Sequence, residues 1–243
     1  MARRFIVNEE DIKKITDQTI EIFGKEVKHI QVLRHNVGDN IIVNEYDCKI
    51  VAMRSHSVEL RLLHKTEEVG IPQINITLHM AMLKNDKMDF VIQKAVELGV
   101  KNIVPFFSKN VVVKLDDASR KKRVQKLQTI ANEACKQCGR TDNVKIEDFK
   151  NFDAVVKSLE EYDVNILAYE NDKTSLKDTI TSIKEKNVKN ISIIIGAEGG
   201  FDISEVNKLV ENSNVFCVSL GTRILRAETA ALNLISIVMY ELN

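Results

Sequence analysis

Three short stretches hold the residues best suited to chemistry. One is Gly-Ala-Glu-Gly-Gly-Phe at 196–201, directly after an isoleucine run. The second is Leu-Gly-Thr-Arg-Ile-Leu-Arg-Ala-Glu-Thr at 220–229, and the third is Leu-Ala-Tyr-Glu-Asn-Asp at 167–172. A glycine-rich turn after an apolar strand usually cradles a phosphate. Here neither the Lys nor the Ser/Thr of a Walker loop is present, and Gly196, Gly199 and Gly200 do not have the dinucleotide spacing. Glu198 at the loop's centre would repel a polyphosphate. The glycines still permit unusual backbone angles and close approach of a flat or cationic ligand. Arg223 and Arg226 flank two apolar residues, and Arg226 and Glu228 stand where a helix begins, a position that favours the acid and not the arginine.

These stretches need elements to position them. From residue 74 onward, apolar runs at 74–83, 102–107, 164–169, 191–196 and 215–220 alternate with helical patterns at about 86–98, 117–138, 152–160, 175–186, 203–211 and 227–242. That rhythm predicts an α/β fold with a parallel sheet covered on both faces. In such sheets ligands sit beyond the carboxyl ends of the strands. The three equipped stretches would converge if the strands of 164–169, 191–196 and 215–220 are neighbours. Residues 1–72 read instead as short β-runs, expected to form a small barrel or sandwich. The polar segment 65–73, with Gly70 and Pro72, is the expected boundary between domains 1–72 and 73–243.

The ordered set of motifs resembles one family. "IGAEGGF" and "LGTRILRAETAAL", with "RRFIV", "HIQVLRHNVGD", "KMDFVIQKAVELGVKNIVPF" and "ANEACKQCGR", looks like the RsmE-type 16S ribosomal RNA uridine N3-methyltransferases of the SPOUT class. One departure is Ala197, where the family usually has proline. The resemblance implies a C-terminal SPOUT domain with a deep trefoil knot and a small N-terminal PUA-like β-barrel that binds RNA. It implies the cofactor S-adenosyl-L-methionine, held by Leu167, Ala168 and Tyr169, by Gly196, Glu198 and Gly199, and by Leu220, Gly221, Ile224 and Leu225. It also implies a homodimer acting on 16S ribosomal RNA within the small ribosomal subunit. Methyl transfer to uracil N3 requires removing a weakly acidic proton or stabilising the anion. Arg226 is the first candidate for that stabilisation and Glu198 a candidate for an orienting role; no general base is identified.

Composition sets outer bounds. The 243 residues are 44% hydrophobic with zero net charge, from 35 basic and 35 acidic residues, so polyanion binding must come from local charge. Residues 101–150 hold 12 Lys/Arg against 6 Asp/Glu, densest at Arg120, Lys121, Lys122 and Arg123, with Arg140 nearby. Residues 1–72 hold 11 basic and 12 acidic residues, so RNA contacts there would use few charges: Arg3, Arg4, His29 and Arg34. Lys94 either pairs with Glu97 or faces the cleft. Cys135 and Cys138 lie late in a helix with no further ligands nearby, so no metal is expected. Four cysteines without a paired framework, no ~20-residue apolar span and no secretory signal point to the cytoplasm and away from membranes. Two rivals remain open: the same fold acting on a tRNA or 23S RNA, and a non-catalytic RNA-binding or ribosome assembly factor.

Overall fold

The computed structural model describes residues 3–66, 70–113 and 115–243; residues 67–69 of the expected boundary segment lie outside them. Two compact units result, one of residues 1–71 with 136–142 and one of 72–135 with 143–243.

The N-terminal unit holds six strands: β1 (Arg4–Phe5), β2 (Ile12–Thr16), β3 (Thr19–Ile22), β4 (Asn40–Val43), β5 (Tyr46–Met53) and β6 (Val58–Lys65). Their order is β1-β4-β5-β6-β3-β2, antiparallel except for the β1–β4 pair. This corrects the expected closed barrel, because the two ends of that order, β1 and β2, are not paired with each other among the described residues. Helix α1 (Lys25–Val32) buries Val27 and Ile30, three apart on one face, with Phe5, Ile22, Ile41, Ile50 and Leu60. The β2–β3 hairpin and α1 are absent from the sequence reading. β2 is an edge strand carrying Lys13 and Lys14 on exposed positions, which suits an edge but masks the alternation that marks a strand.

The second unit is built on parallel strands β7 (Asn75–Ala81), β8 (Asn102–Phe107), β9 (Lys145–Ile146), β10 (Lys150–Asn151), β11 (Val164–Ala168), β12 (Asn190–Ile195) and β13 (Val215–Val218). The order is β10-β8-β7-β12-β11-β13, with β9 also on β8, and every pair is parallel. The apolar run of β12 is explained by its position. Neighbours flank it on both sides and its residues Ile191–Ile195 are buried on both faces. Burying each isoleucine contributes about 2 kcal/mol. Helices α2 (Asn85–Glu97), α3 (Asp117–Cys138), α4 (Phe152–Ser158), α5 (Leu176–Lys184), α6 (Ile203–Val210) and α7 (Ala227–Leu242) complete it. Helix α7 buries Ala227, Ala231, Leu234, Ile235 and Val238 along one stripe, packing on α2 and β12. Among the described residues, no helix is long and apolar enough to cross a membrane.

Candidate active site at three neighbouring strand ends

Strand β11 pairs with β12 on one side and β13 on the other, with Leu167 opposite Ile194 and Ala168 opposite Val218. The three chemically equipped loops therefore leave the sheet side by side. The first and third are stitched together by the Tyr169 amide donating to the Val218 carbonyl at 3.0 Å and the Ser219 amide donating to the Thr174 carbonyl at 3.0 Å. The first and second meet at Glu170, whose Oε1 lies 2.9 Å from where a Cβ on Gly200 would stand. Gly200 has φ +68°, so its lack of a side chain serves both the turn and this close approach.

The second loop is tight. The Gly200 amide donates to the Ala197 carbonyl at 3.0 Å. From outside, Asn110 Nδ2 donates to the carbonyls of Gly199 and Gly200 at 3.1 and 3.3 Å. A Cβ on Gly196 would stand 3.0 Å from the Phe201 ring, so this glycine permits close packing. Beyond the loop, Asp202 and Glu205 form a capping box on α6. Hydrogen bonds from Ser204 and Lys109 to Asp202 hold its carboxyl down at about 2.

Glu198 does not point into open space. Its Oε1 accepts from the Lys84 amide, the N-cap position of α2, at 3.3 Å, and lies 3.6 Å from the Lys87 ammonium. It therefore braces the loop against the start of α2. Lys87 was not singled out in the sequence, because its partners lie more than a hundred residues away and no local spacing announces them.

The third loop is the open one. Gly221 has φ +114°, and a Cβ there would meet nothing within 4 Å, so the space above its backbone is free for a ligand. Ile224 is 86% exposed, and Leu225 is half-buried. Arg226 is the N-cap of α7; its side chain is exposed and has no ion-pair partner among the described residues. Ala168, Tyr169, Leu220, Gly221 and Leu225 line a cavity of 60 Å³. It shares Leu220 and Gly221 with a 910 Å³ cleft that extends along α5 and α7.

The RNA methyltransferase domain family matches residues 71–239. The ribosomal RNA small subunit methyltransferase E of Bacillus subtilis is 34% identical over 233 residues, 92% of this chain and 90% of its own length. The chain belongs to this methyltransferase family. Two solved structures are similar over 99% of the chain and 98% of their own. One is the Neisseria gonorrhoeae ribosomal RNA small subunit methyltransferase E bound to S-adenosylmethionine, 26% identical with a TM-score of 0.82. The other is a Legionella pneumophila protein in complex with its bound cofactor S-adenosylmethionine, 25% identical with a TM-score of 0.84.

The residues present fit the cofactor of a methyltransferase of this family. Gly221 leaves room for a ligand against its backbone, and Ile224 and Leu225 offer apolar surface. Two other reactive groups are silenced. Burial, followed by a hydrogen bond to the Asp172 carboxylate, pushes the Cys217 thiol up to about 12. Burial, followed by the charge of Lys150, pulls His79 down to about 3, and its Nδ1 faces Ser192 Oγ at 2.9 Å. Near neutral pH Cys217 is therefore a neutral thiol, and His79, buried within β7 beside Ser192, a neutral imidazole.

The expected RNA contacts divide. Arg3, Arg34, Lys121 and Lys122 are exposed. Three arginines are engaged within the protein. Arg4 donates to the carbonyls of Arg140 (2.6 Å) and Thr141. Arg123, 8% exposed, is held by Asp89 at 2.8 Å. Arg140, 2% exposed, makes a bidentate pair with Asp142 at 2.6 and 2.7 Å. Buried guanidinium groups with such partners brace the protein and do not present charge to a phosphate. His29 faces Glu26 at 3.3 Å, Lys94 pairs with Glu97 at 2.8 Å, and Arg120 covers the Phe107 ring at 4.9 Å.

Proposed function

We propose that this protein transfers a methyl group from S-adenosylmethionine to N3 of a uridine in 16S ribosomal RNA of the small subunit. The observation that carries the reading is the juxtaposition of the three family loops at the ends of β12, β11 and β13. When bound, S-adenosylmethionine would supply the electrophilic methyl carbon, which needs alignment more than covalent help.

The chain's own residues then have distinct tasks. The backbones of 167–169, 196–199 and 220–225 hold the cofactor, with Gly221 allowing close approach. Glu198 orients the second loop through the start of α2. Arg226, exposed and unpaired at the head of α7, stabilises the anion at uracil N3. The Cys217 thiol donates to the Asp172 carboxylate and so ties the first loop to β13.

The same reading assigns a trefoil knot to the loops of residues 73–243 and a homodimer interface to the outer face of α7, where Tyr240 is 85% exposed. Residues 1–72 serve as a PUA-like RNA-binding domain, and Arg3, Arg34, Lys121 and Lys122 contact phosphate. The protein works in the cytoplasm, where its substrate resides.

The test uses purified protein, isotopically labelled cofactor and small ribosomal subunits lacking the modification, with the product mapped by mass spectrometry. Label on uridine N3 of 16S RNA is expected. Label on a ribose oxygen, on tRNA, or nowhere overturns the assignment.

A further inference from the structure

Lys87 stands between two carboxylates that belong to different loops. Its ammonium lies 3.6 Å from Glu198 Oε1 and 3.7 Å from Glu228 Oε2. Glu198 sits in the loop after β12, and Glu228 in the first turn of α7, directly past the loop after β13. The side chains are 35%, 25% and 15% exposed for Lys87, Glu198 and Glu228 respectively, so solvent screens the group incompletely. Glu228 Oε2 is buried and has no hydrogen-bond partner among the described residues.

Both acids sit at helix N-termini, Glu198 against that of α2 and Glu228 in the first turn of α7. Two carboxylates and one ammonium leave an excess of one negative charge. Neither distance to Lys87 is a close hydrogen bond, so the ammonium offsets both acids by field without fully engaging either. A buried carboxylate oxygen without a donor is costly unless something else supplies positive charge.

We infer that Lys87 is a positioning residue that sets how strongly the site prefers a cationic sulfonium over a neutral thioether. This rests on the methyltransferase reading above. The substrate and product forms of the cofactor differ at that one sulfur: S-adenosylmethionine carries the positive charge, and S-adenosylhomocysteine does not. With Lys87 present, the two loops offer the sulfonium a modest negative field, and the spent cofactor is not disfavoured strongly enough to distort turnover. Without Lys87 the same two loops carry two uncompensated carboxylates, and preference moves toward the charged form. Lys84, Arg223 and Arg226 also lie near these loop ends and are exposed, but among the described residues only Lys87 is within ion-pair distance of both acids.

The test is calorimetric titration of S-adenosylmethionine and S-adenosylhomocysteine into wild type, Lys87→Met, Lys87→Arg and Glu228→Gln. In Lys87→Met the ratio of the two affinities is expected to move toward S-adenosylmethionine by about five-fold, the effect of removing one positive charge from a partly screened group. Lys87→Arg is expected to keep the wild-type ratio. Glu228→Gln is expected to move it the other way, and this variant carries the test if Lys87→Met does not fold. An unchanged ratio in both Lys87→Met and Glu228→Gln, with both ligands still bound, overturns the inference and leaves the methyltransferase reading standing. Equal losses for both ligands with a lowered Tm also overturn it, by showing a purely structural role. Failure of the wild type to bind either ligand overturns the underlying reading itself.

Discussion

Glu205 accepts a hydrogen bond from the Lys109 backbone amide at 2.9 Å, joining segments 96 residues apart in sequence. Its second oxygen accepts from the Asp202 amide at 3.1 Å, and the residue is only 3% exposed. One buried carboxylate thus fixes both the start of α6 and the segment after β8, which in turn presents Asn110 to the carbonyls of Gly199 and Gly200. Glu205→Gln keeps one acceptor and turns a donor toward an amide. It should cost about 1–3 kcal/mol, the usual penalty for a buried group left unsatisfied. Urea unfolding measures it. A change below 0.5 kcal/mol (roughly the surface-substitution range) would show that this link is not structural.

Gly200 and Gly221 should respond differently to alanine. Both have positive φ, so each substitution strains the backbone by about 1 kcal/mol or more. At Gly200 the new methyl group also meets Glu170 Oε1 at 2.9 Å, whereas at Gly221 it enters open space. Gly200→Ala should therefore lower Tm more than Gly221→Ala, while Gly221→Ala should lose more cofactor affinity. Thermal unfolding and calorimetry on the two variants decide the ranking.

His79 makes stability depend on pH. Its folded value of about 3 lies below the ordinary 6.5, so the unfolded chain binds the extra proton between those values. Stability from the neutral imidazole is complete above pH 6.5 and falls as pH drops toward 3, with a limiting slope of about 1.4 kcal/mol per pH unit. His79→Gln cannot be protonated in this range and should flatten the acid limb, although it costs stability at neutral pH. Equal acid slopes for wild type and variant in urea titrations would remove His79 from the account.

Much of this architecture was legible because periodicity is local. The pattern at 117–138 matches α3 in both limits, and the apolar runs after 164, 191 and 215 become the three adjacent strands. The convergence of their loops was conditional on strand order, which sequence does not print; β11 lying between β12 and β13 supplies it. What sequence hid was long-range pairing. Arg123 looked like one more charge in a basic run until Asp89 was seen beside it, and Arg140 until it was found buried against Asp142. Glu198 was visible as an odd acid in a glycine loop, but its partners, the Lys84 amide and Lys87, come from a helix more than a hundred residues earlier.

Ala197 stands in the glycine-rich loop where the family resemblance leads one to expect proline. Ala197 and Gly200 form an isolated antiparallel bridge, with the Gly200 amide donating to the Ala197 carbonyl at 3.0 Å. Ala197→Pro restricts the unfolded chain, worth about 0.5–1 kcal/mol, but removes the amide that faces Gly200, a loss of similar size. Stability should therefore change by less than about 1 kcal/mol, with turnover unchanged within two-fold or so. A larger loss in denaturant titrations would mean that φ at this position does not suit the proline ring.

Arg226 gives the sharpest test of the chemistry. It caps α7 through its backbone, its carbonyl accepting from the Ala230 amide at 2.8 Å, while the guanidinium has no partner among the described residues. Removing that side chain leaves the helix's own hydrogen bonds in place, so Arg226→Ala should change Tm little. If the guanidinium stabilises the anion at uracil N3, turnover should fall by about 10² or more, because the charge is needed only as it develops. Affinity for S-adenosylhomocysteine, which does not engage that anion, should stay within about two-fold. Single-turnover methylation of unmodified small subunits gives the first quantity and calorimetry the second. Parallel losses in both would place Arg226 in the cofactor pocket instead. Partial rescue of turnover by Arg226→Lys, a point charge lacking the planar fork, would further separate charge from geometry as the property that matters.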